Sequence, residues 1–177
     1  MCKFLTAIRR PGQKQPISQI VLYTALLFVC GMALGTAAKL LDIYTQNLGN
    51  IFSQMSIWIL LGTVIAVYSR SPYRAMANVF LFCVGMLIAY YAMAQLTNSV
   101  YGWAFIGGWT VFSLFSPLFA FLTWYAKGRG WFAVTVSVGI LLCMLLCAVV
   151  LFDKLRLSDI VLALLTALVL FGRKRRS

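Results

Sequence analysis

Lys39 and Asp42 stand three positions apart in GTAAKLLDIYTQNLGN, at the end of a long apolar run. A lysine and a carboxylate at that spacing share one helix face. They can hold a charged ligand between them or close on each other as a clasp. The rest of the inventory for chemistry is thin. The chain has no histidine, and its three acidic residues are all aspartates: Asp42, Asp153 and Asp159. General acid and base catalysis draws on His, Glu, Asp, Cys or Lys with a tuned pKa, and hydrolases or transferases of membranes add paired carboxylates, a histidine or a metal. Nothing of that kind is in reach, so the sequence predicts no enzyme, no catalytic residues and no cofactor. Five cysteines, Cys2, Cys30, Cys83, Cys143 and Cys147, lie in apolar runs or at the N-terminus. Without histidine or a nearby carboxylate they read as packing thiols and not as a metal site.

The surroundings of these residues are those of a membrane protein. Of 177 residues, 63% are hydrophobic and only 10% charged, with a mean hydropathy of +0.94, whereas a soluble domain carries about 25% charge. Apolar runs predict an all-α polytopic fold with six transmembrane helices: Ile17 to Ala38, Phe52 to Tyr68, Tyr73 to Leu96, Trp103 to Ala126, Trp131 to Phe152, and Leu157 to Gly172. The last is short, with Ser158 expected to cap its start and Asp159 to favour its positive end. Residues 1–16 form an N-terminal segment in which Phe4, Leu5 and Ile8 fit one face of an amphipathic turn beside Lys3, Arg9 and Arg10. An interfacial helix on the inner membrane surface and a disordered tail both fit that stretch. Residues 17–172 are the membrane domain and residues 173–177 a basic tail.

Loop charge sets the orientation. Alternate segments carry twelve basic residues on one side (Lys3, Arg9, Arg10, Lys14, Arg70, Arg74, Lys127, Arg129 and the tail Arg173 to Arg176) against three on the other, Lys39, Lys154 and Arg156. Basic loops stay in the cytoplasm, so both termini are expected inside and the number of crossings even. The net charge of +12 then falls on the inner face, where anionic lipids, and not nucleic acid, are the expected partner.

Within the runs, small residues at spacing four, Gly31 with Gly35 and Ala33 with Ala37, predict close helix packing, either inside the chain or against a membrane protein partner. Pro117 removes the hydrogen bond to the Ser113 carbonyl and predicts a kink. Asn78 and Ser56 are expected to bond between helices. The segments VIAVYSRSPYR and FLTWYAKGRGW look alike, two helix ends with Tyr followed by a basic residue, a likeness that topology alone also produces. Polar and aromatic side chains gather in the outer half. Lys39, Asp42, Asn50, Gln54, Trp58, Tyr91, Gln95 and Trp109 form a candidate ligand pocket there, with Lys39 supplying charge, Asp42 orienting it, the aromatics stacking and the amides bonding. The competing reading is an interfacial aromatic belt with Lys39 and Asp42 as a clasp. An inner half made of Leu, Val, Phe and Ala argues against a channel or a proton-coupled pump.

The stretch NLGNIFSQMSIWILLGTVIAVYSRSP, preceded by GTAAKLLD and followed by AYYA, resembles a family of small bacterial multi-pass membrane proteins that carries no assigned function. That resemblance implies a bacterial plasma membrane. The architecture is also similar to the substrate-binding S-components of energy-coupling-factor transporters, which implies a ligand cup near the outer face. Those proteins carry their small-residue pair in the cytoplasmic part of the first helix, whereas Gly31, Ala33, Gly35 and Ala37 fall in the outer half here. The sequence thus leaves two functions open: a solute-binding protein that helps transport, or an accessory protein acting through helix packing.

Overall fold

A computed structural model describes residues 3–13, 15–45, 54–99, 103–152 and 155–172. These are helical throughout, without strands among the described residues: α1 (Lys3–Ile8), α2 (Ile17–Tyr44), α3 (Met55–Tyr68), α4 (Pro72–Leu96), α5 (Trp103–Ala126), α6 (Trp131–Phe152) and α7 (Leu157–Phe171). Four of them, α2, α4, α5 and α6, are long and apolar enough to cross a membrane, while α3 and α7 are shorter apolar helices. The protein is therefore an all-helical membrane protein. At 14 and 15 residues, α3 and α7 extend only about 21 to 22 Å at 1.5 Å per residue.

Element starts and stops follow the hydropathy pattern closely, with two corrections. The first long helix does not end at Ala38 but continues to Tyr44, because Lys39 and Asp42 satisfy each other on its own surface and need no loop. The start of α7 is capped at Arg156, and Ser158 lies inside the first turn. There Asp159 reaches back and accepts a hydrogen bond from the Arg156 backbone N–H (3.1 Å), one half of a capping box that relieves an orphan donor of the first turn. In α5 the chain stays helical through Pro117. The Ser113 carbonyl, which proline deprives of its usual donor, accepts from the Ser116 hydroxyl at 2.7 Å.

The fold divides into two compact units. Unit 1 comprises residues 1–13, 54–75 and 119–177, and unit 2 residues 14–53 and 76–118. In unit 2, α2 and α4 pack in parallel: Thr24 donates to Asn78 Oδ1 (2.8 Å), and further along the helices Gly31 lies against Phe82 and Gly35 against Met86. A Cβ on either glycine would collide with the carbonyl oxygen of its partner residue. The small-residue motif is thus used inside the chain by its glycines, whereas Ala33 is exposed and Ala37 half-buried.

In unit 1, α3, α6 and α7 pack on one another, around Val67, Ala126 and Leu170. Residues 54–56 meet 156–159 at one end, through Gln54, Ser56 and Asp159, so α3 and α7 are parallel. Their C-termini lie at the opposite end with the last turn of α5. The segments forming this end carry Arg9, Arg10, Arg70, Arg74, Lys127 and Arg129 and no acidic residue.

Candidate functional site

The sparse polar side chains assemble into three clusters, one in unit 2 and two in unit 1. In unit 2, Lys39 Nζ lies 3.1 Å from Asp42 Oδ2, with the lysine side chain 3% exposed and the aspartate 38%. Tyr90 of α4 donates to the same oxygen at 3.4 Å, and the ammonium stands 5.2 Å from the centre of its ring. Burial of an ammonium is tolerable only with a counter-charge and further partners, and α2 and α4 supply both. Tyr91 stands edge-on to Tyr90, ring centres 5.4 Å apart, and is half-buried, while Gln95 one turn further is exposed. Trp109 on α5 packs edge-to-face on Phe112 at 6.0 Å.

This arrangement exchanges the expected roles of the pair. The ammonium is enclosed and committed to Asp42, and the carboxylate faces outward. An anionic ligand would have to displace Asp42 to reach Lys39, whereas a ligand offering N–H, O–H or positive charge meets the carboxylate directly.

In unit 1, Asp159 at the start of α7 is 1% exposed. Ser56 of α3 donates to its Oδ1 at 2.6 Å. With the Gln54 amide turned to suit its neighbours, Nε2 donates to Asp159 Oδ1 (3.2 Å) and Oε1 accepts from Arg156 Nη1 (3.1 Å). Hydroxyl, amide, backbone N–H and the positive end of α7 together hold a buried carboxylate. Gln54 is therefore spent on a structural network in the same unit as the buried Trp58. The predicted pocket residues thus divide: Lys39, Asp42, Tyr91, Gln95 and Trp109 belong to unit 2, Gln54 and Trp58 to unit 1, and Asn50 lies outside the described residues.

The third cluster, at the other end of unit 1, has no counterpart in the expected site. Arg9 Nη1 donates to the Trp124 carbonyl (2.6 Å) and Nη2 to the Val67 carbonyl (2.8 Å), and its guanidinium carbon stands 4.1 Å from the centre of the Trp124 ring. Trp124 Nε1 donates to Ser69 O at 2.7 Å, and Lys127 Nζ donates to Gly172 O at 3.0 Å. Arg9 thus bridges the C-termini of α3 and α5, and Lys127 covers that of α7, where unsatisfied carbonyls carry partial negative charge. Burial brings the Arg9 guanidinium down to about 10, which leaves it charged at neutral pH. Val67 and Trp124 each precede the tyrosine shared by the two similar segments, so the fork grips matching positions. That likeness was the one trace of the site in the sequence.

Two backbone bonds complete the docking of α1: Gly12 N to Arg70 O and Arg129 N to Ile8 O, both 2.8 Å. Of the two readings of the N-terminal segment, the structure has the helix, at Lys3–Ile8, and ties the residues at and after its end to unit 1. Compared with known protein families, curated proteins and solved structures, the chain matches none.

Proposed function

We propose that the protein is a six-span, multi-pass protein of the bacterial plasma membrane, both termini cytoplasmic, that binds a small solute at its outer end without catalysis and helps carry it across. The crossing number is supported by the parallel packing of α2 and α4 and of α3 and α7. The orientation is supported by the basic residues gathered at one end of unit 1. A reporter fused to Ser177 is expected on the cytoplasmic side, and an exterior reporter would reject the orientation.

The observation that carries solute binding is the Asp42 carboxylate, part-exposed and fixed from behind by buried Lys39 and by Tyr90. With Tyr91 edge-on to Tyr90 and Gln95 exposed one turn further along α4, the rim suits a solute with hydrogen-bond donors or a positive charge. Thermal shift of the purified protein against small amines, amides and carboxylates tests this. Stabilisation by an amine or amide that disappears in Asp42→Asn supports it, and stabilisation by carboxylates alone would reverse the ligand's sign.

A second reading, an accessory protein acting through helix packing, draws on Gln54 and Lys39, both spent on internal partners, and on the exposed apolar face of α2 at Val21, Leu22, Leu26 and Val29. Co-purification of a stoichiometric membrane partner, with no solute raising the melting temperature, would favour it.

A further inference from the structure

The basic end of unit 1 holds more than the half-buried Arg9. The two backbone bonds that dock α1 also fix three exposed arginines from separate parts of the chain. Arg70 accepts from Gly12 through its carbonyl, Arg129 donates through its amide to Ile8, and Arg10 lies midway between Ile8 and Gly12. Consecutive Cα atoms are about 3.8 Å apart, so Arg10 sits within about two residues' reach of both. None of the three forms an ion pair with a described carboxylate, since Asp42 is held by Lys39 and Asp159 by Ser56 and its own helix start.

A second observation fixes the level of this end relative to a bilayer. Tyr68, Tyr73 and Trp131, which flank the same turns, are 60%, 63% and 81% exposed, and amphipathic aromatics in that state sit at the headgroup layer. Gly130, with a φ of +90°, makes the tight turn between Arg129 and Trp131. Beyond the aromatics, exposed Leu122, Val134 and Val138 continue along α5 and α6, which suits acyl chains and does not suit a soluble polyanion.

We propose that Arg10, Arg70 and Arg129 form a headgroup site for an anionic phospholipid, their guanidinium forks holding its phosphate while Trp131, Tyr68 and Tyr73 bracket the glycerol level. The site does not depend on the solute reading and keeps its meaning if that reading fails. It differs from a general attraction of the basic tail in requiring guanidinium geometry as well as charge.

The test uses the full chain in detergent with added phosphatidylglycerol, cardiolipin or phosphatidylcholine, read by native mass spectrometry and thermal shift. The anionic lipids are expected to bind and stabilise, and phosphatidylcholine is not. Each arginine near an anionic surface contributes about fivefold in affinity, so R10Q/R70Q/R129Q is expected to bind on the order of a hundredfold more weakly, with an unchanged melting temperature in plain detergent. R10K/R70K/R129K, which keeps the charge, is expected to lose affinity severalfold. Full affinity in that lysine variant overturns the site in favour of diffuse charge. Equal stabilisation by inorganic phosphate or an RNA oligonucleotide overturns the lipid assignment. If the triple variants do not accumulate, Arg10→Gln alone decides the matter: the expected loss is about fivefold, and no loss overturns the proposal.

Discussion

Unit 2 buries Lys39 and unit 1 half-buries Arg9, and the two cations are satisfied in opposite ways. Lys39 is neutralised locally, by a carboxylate three residues along its own helix and by a tyrosine on the parallel neighbour. Arg9 has carbonyls and an aromatic face as its partners, from helices whose contact residues lie 58 and 115 positions away. A lysine is a point charge and can be matched by one counter-charge. A guanidinium is a planar fork with donors in two directions, and so it can join two helix ends that do not touch in sequence. The local solution makes a clasp on a helix. The distant one makes a keystone that ties the N-terminal segment to α3 and α5.

The largest effect expected from breaking this contrast is at the keystone. Arg9→Ala removes two charge-assisted hydrogen bonds and a cation–π contact and leaves two helix-end carbonyls with fewer donors, a loss of about 3 kcal/mol. Arg9→Lys should recover less than half of it, because an ammonium cannot reproduce the fork. Unfolding in mixed detergent micelles measures both, and a full rescue by lysine would show that only the charge matters.

At the clasp the effects should be asymmetric. Asp42→Ala leaves a buried ammonium without its counter-charge and is expected to cost about 2 kcal/mol, whereas Lys39→Met removes the buried charge itself and is expected to cost less than about 1 kcal/mol. Equal losses in the two variants would mean that the pair acts as an ordinary exposed ion pair. Trp124→Phe comes next, at about 1 kcal/mol, for the lost N–H bond to Ser69 and a weaker ring beneath Arg9. Its loss should shrink in an Arg9→Ala background, where a double-mutant cycle reads the coupling.

The same contrast explains what could be read from the sequence. The apolar runs located the long helices, all but the end of α2 to within a few residues, because a bilayer rewards continuous hydrophobicity and little else. The Lys39–Asp42 clasp was legible as a spacing, and so were the interhelical roles of Asn78 and Ser56. The continuation of α2 to Tyr44 was missed because charge was taken as a boundary when it was internally balanced. The Asp159 network was missed because Ser56 lies 103 positions away and nothing in either segment announces the other. Arg9 left even less trace, since its hydrogen-bond partners are backbone carbonyls, which every residue possesses. Only the matched Val67–Tyr68 and Trp124–Tyr125 steps marked the place. Of the predicted pocket, Lys39 and Asp42 pair on α2 and Tyr91 adjoins the Tyr90 that bonds Asp42, while Gln54 is drawn into a network that depends on α7.

The smallest expected effect is a null one, in the pH dependence of the Arg9 contribution. Burial holds the Arg9 guanidinium at about 10, below its ordinary value. At Arg9 the folded state therefore binds fewer protons than the unfolded chain only from about pH 10 up to the ordinary, more alkaline guanidinium range. Stability linked to Arg9 should rise with pH across that alkaline window and stay level below it, because both states are fully protonated there. Wild type and Arg9→Ala are thus expected to keep a constant difference in unfolding free energy from pH 6 to about 8.5. A difference that grew or shrank in that range would require Arg9 to titrate near neutrality, which its two carbonyl partners and the Trp124 face oppose by favouring the charged form.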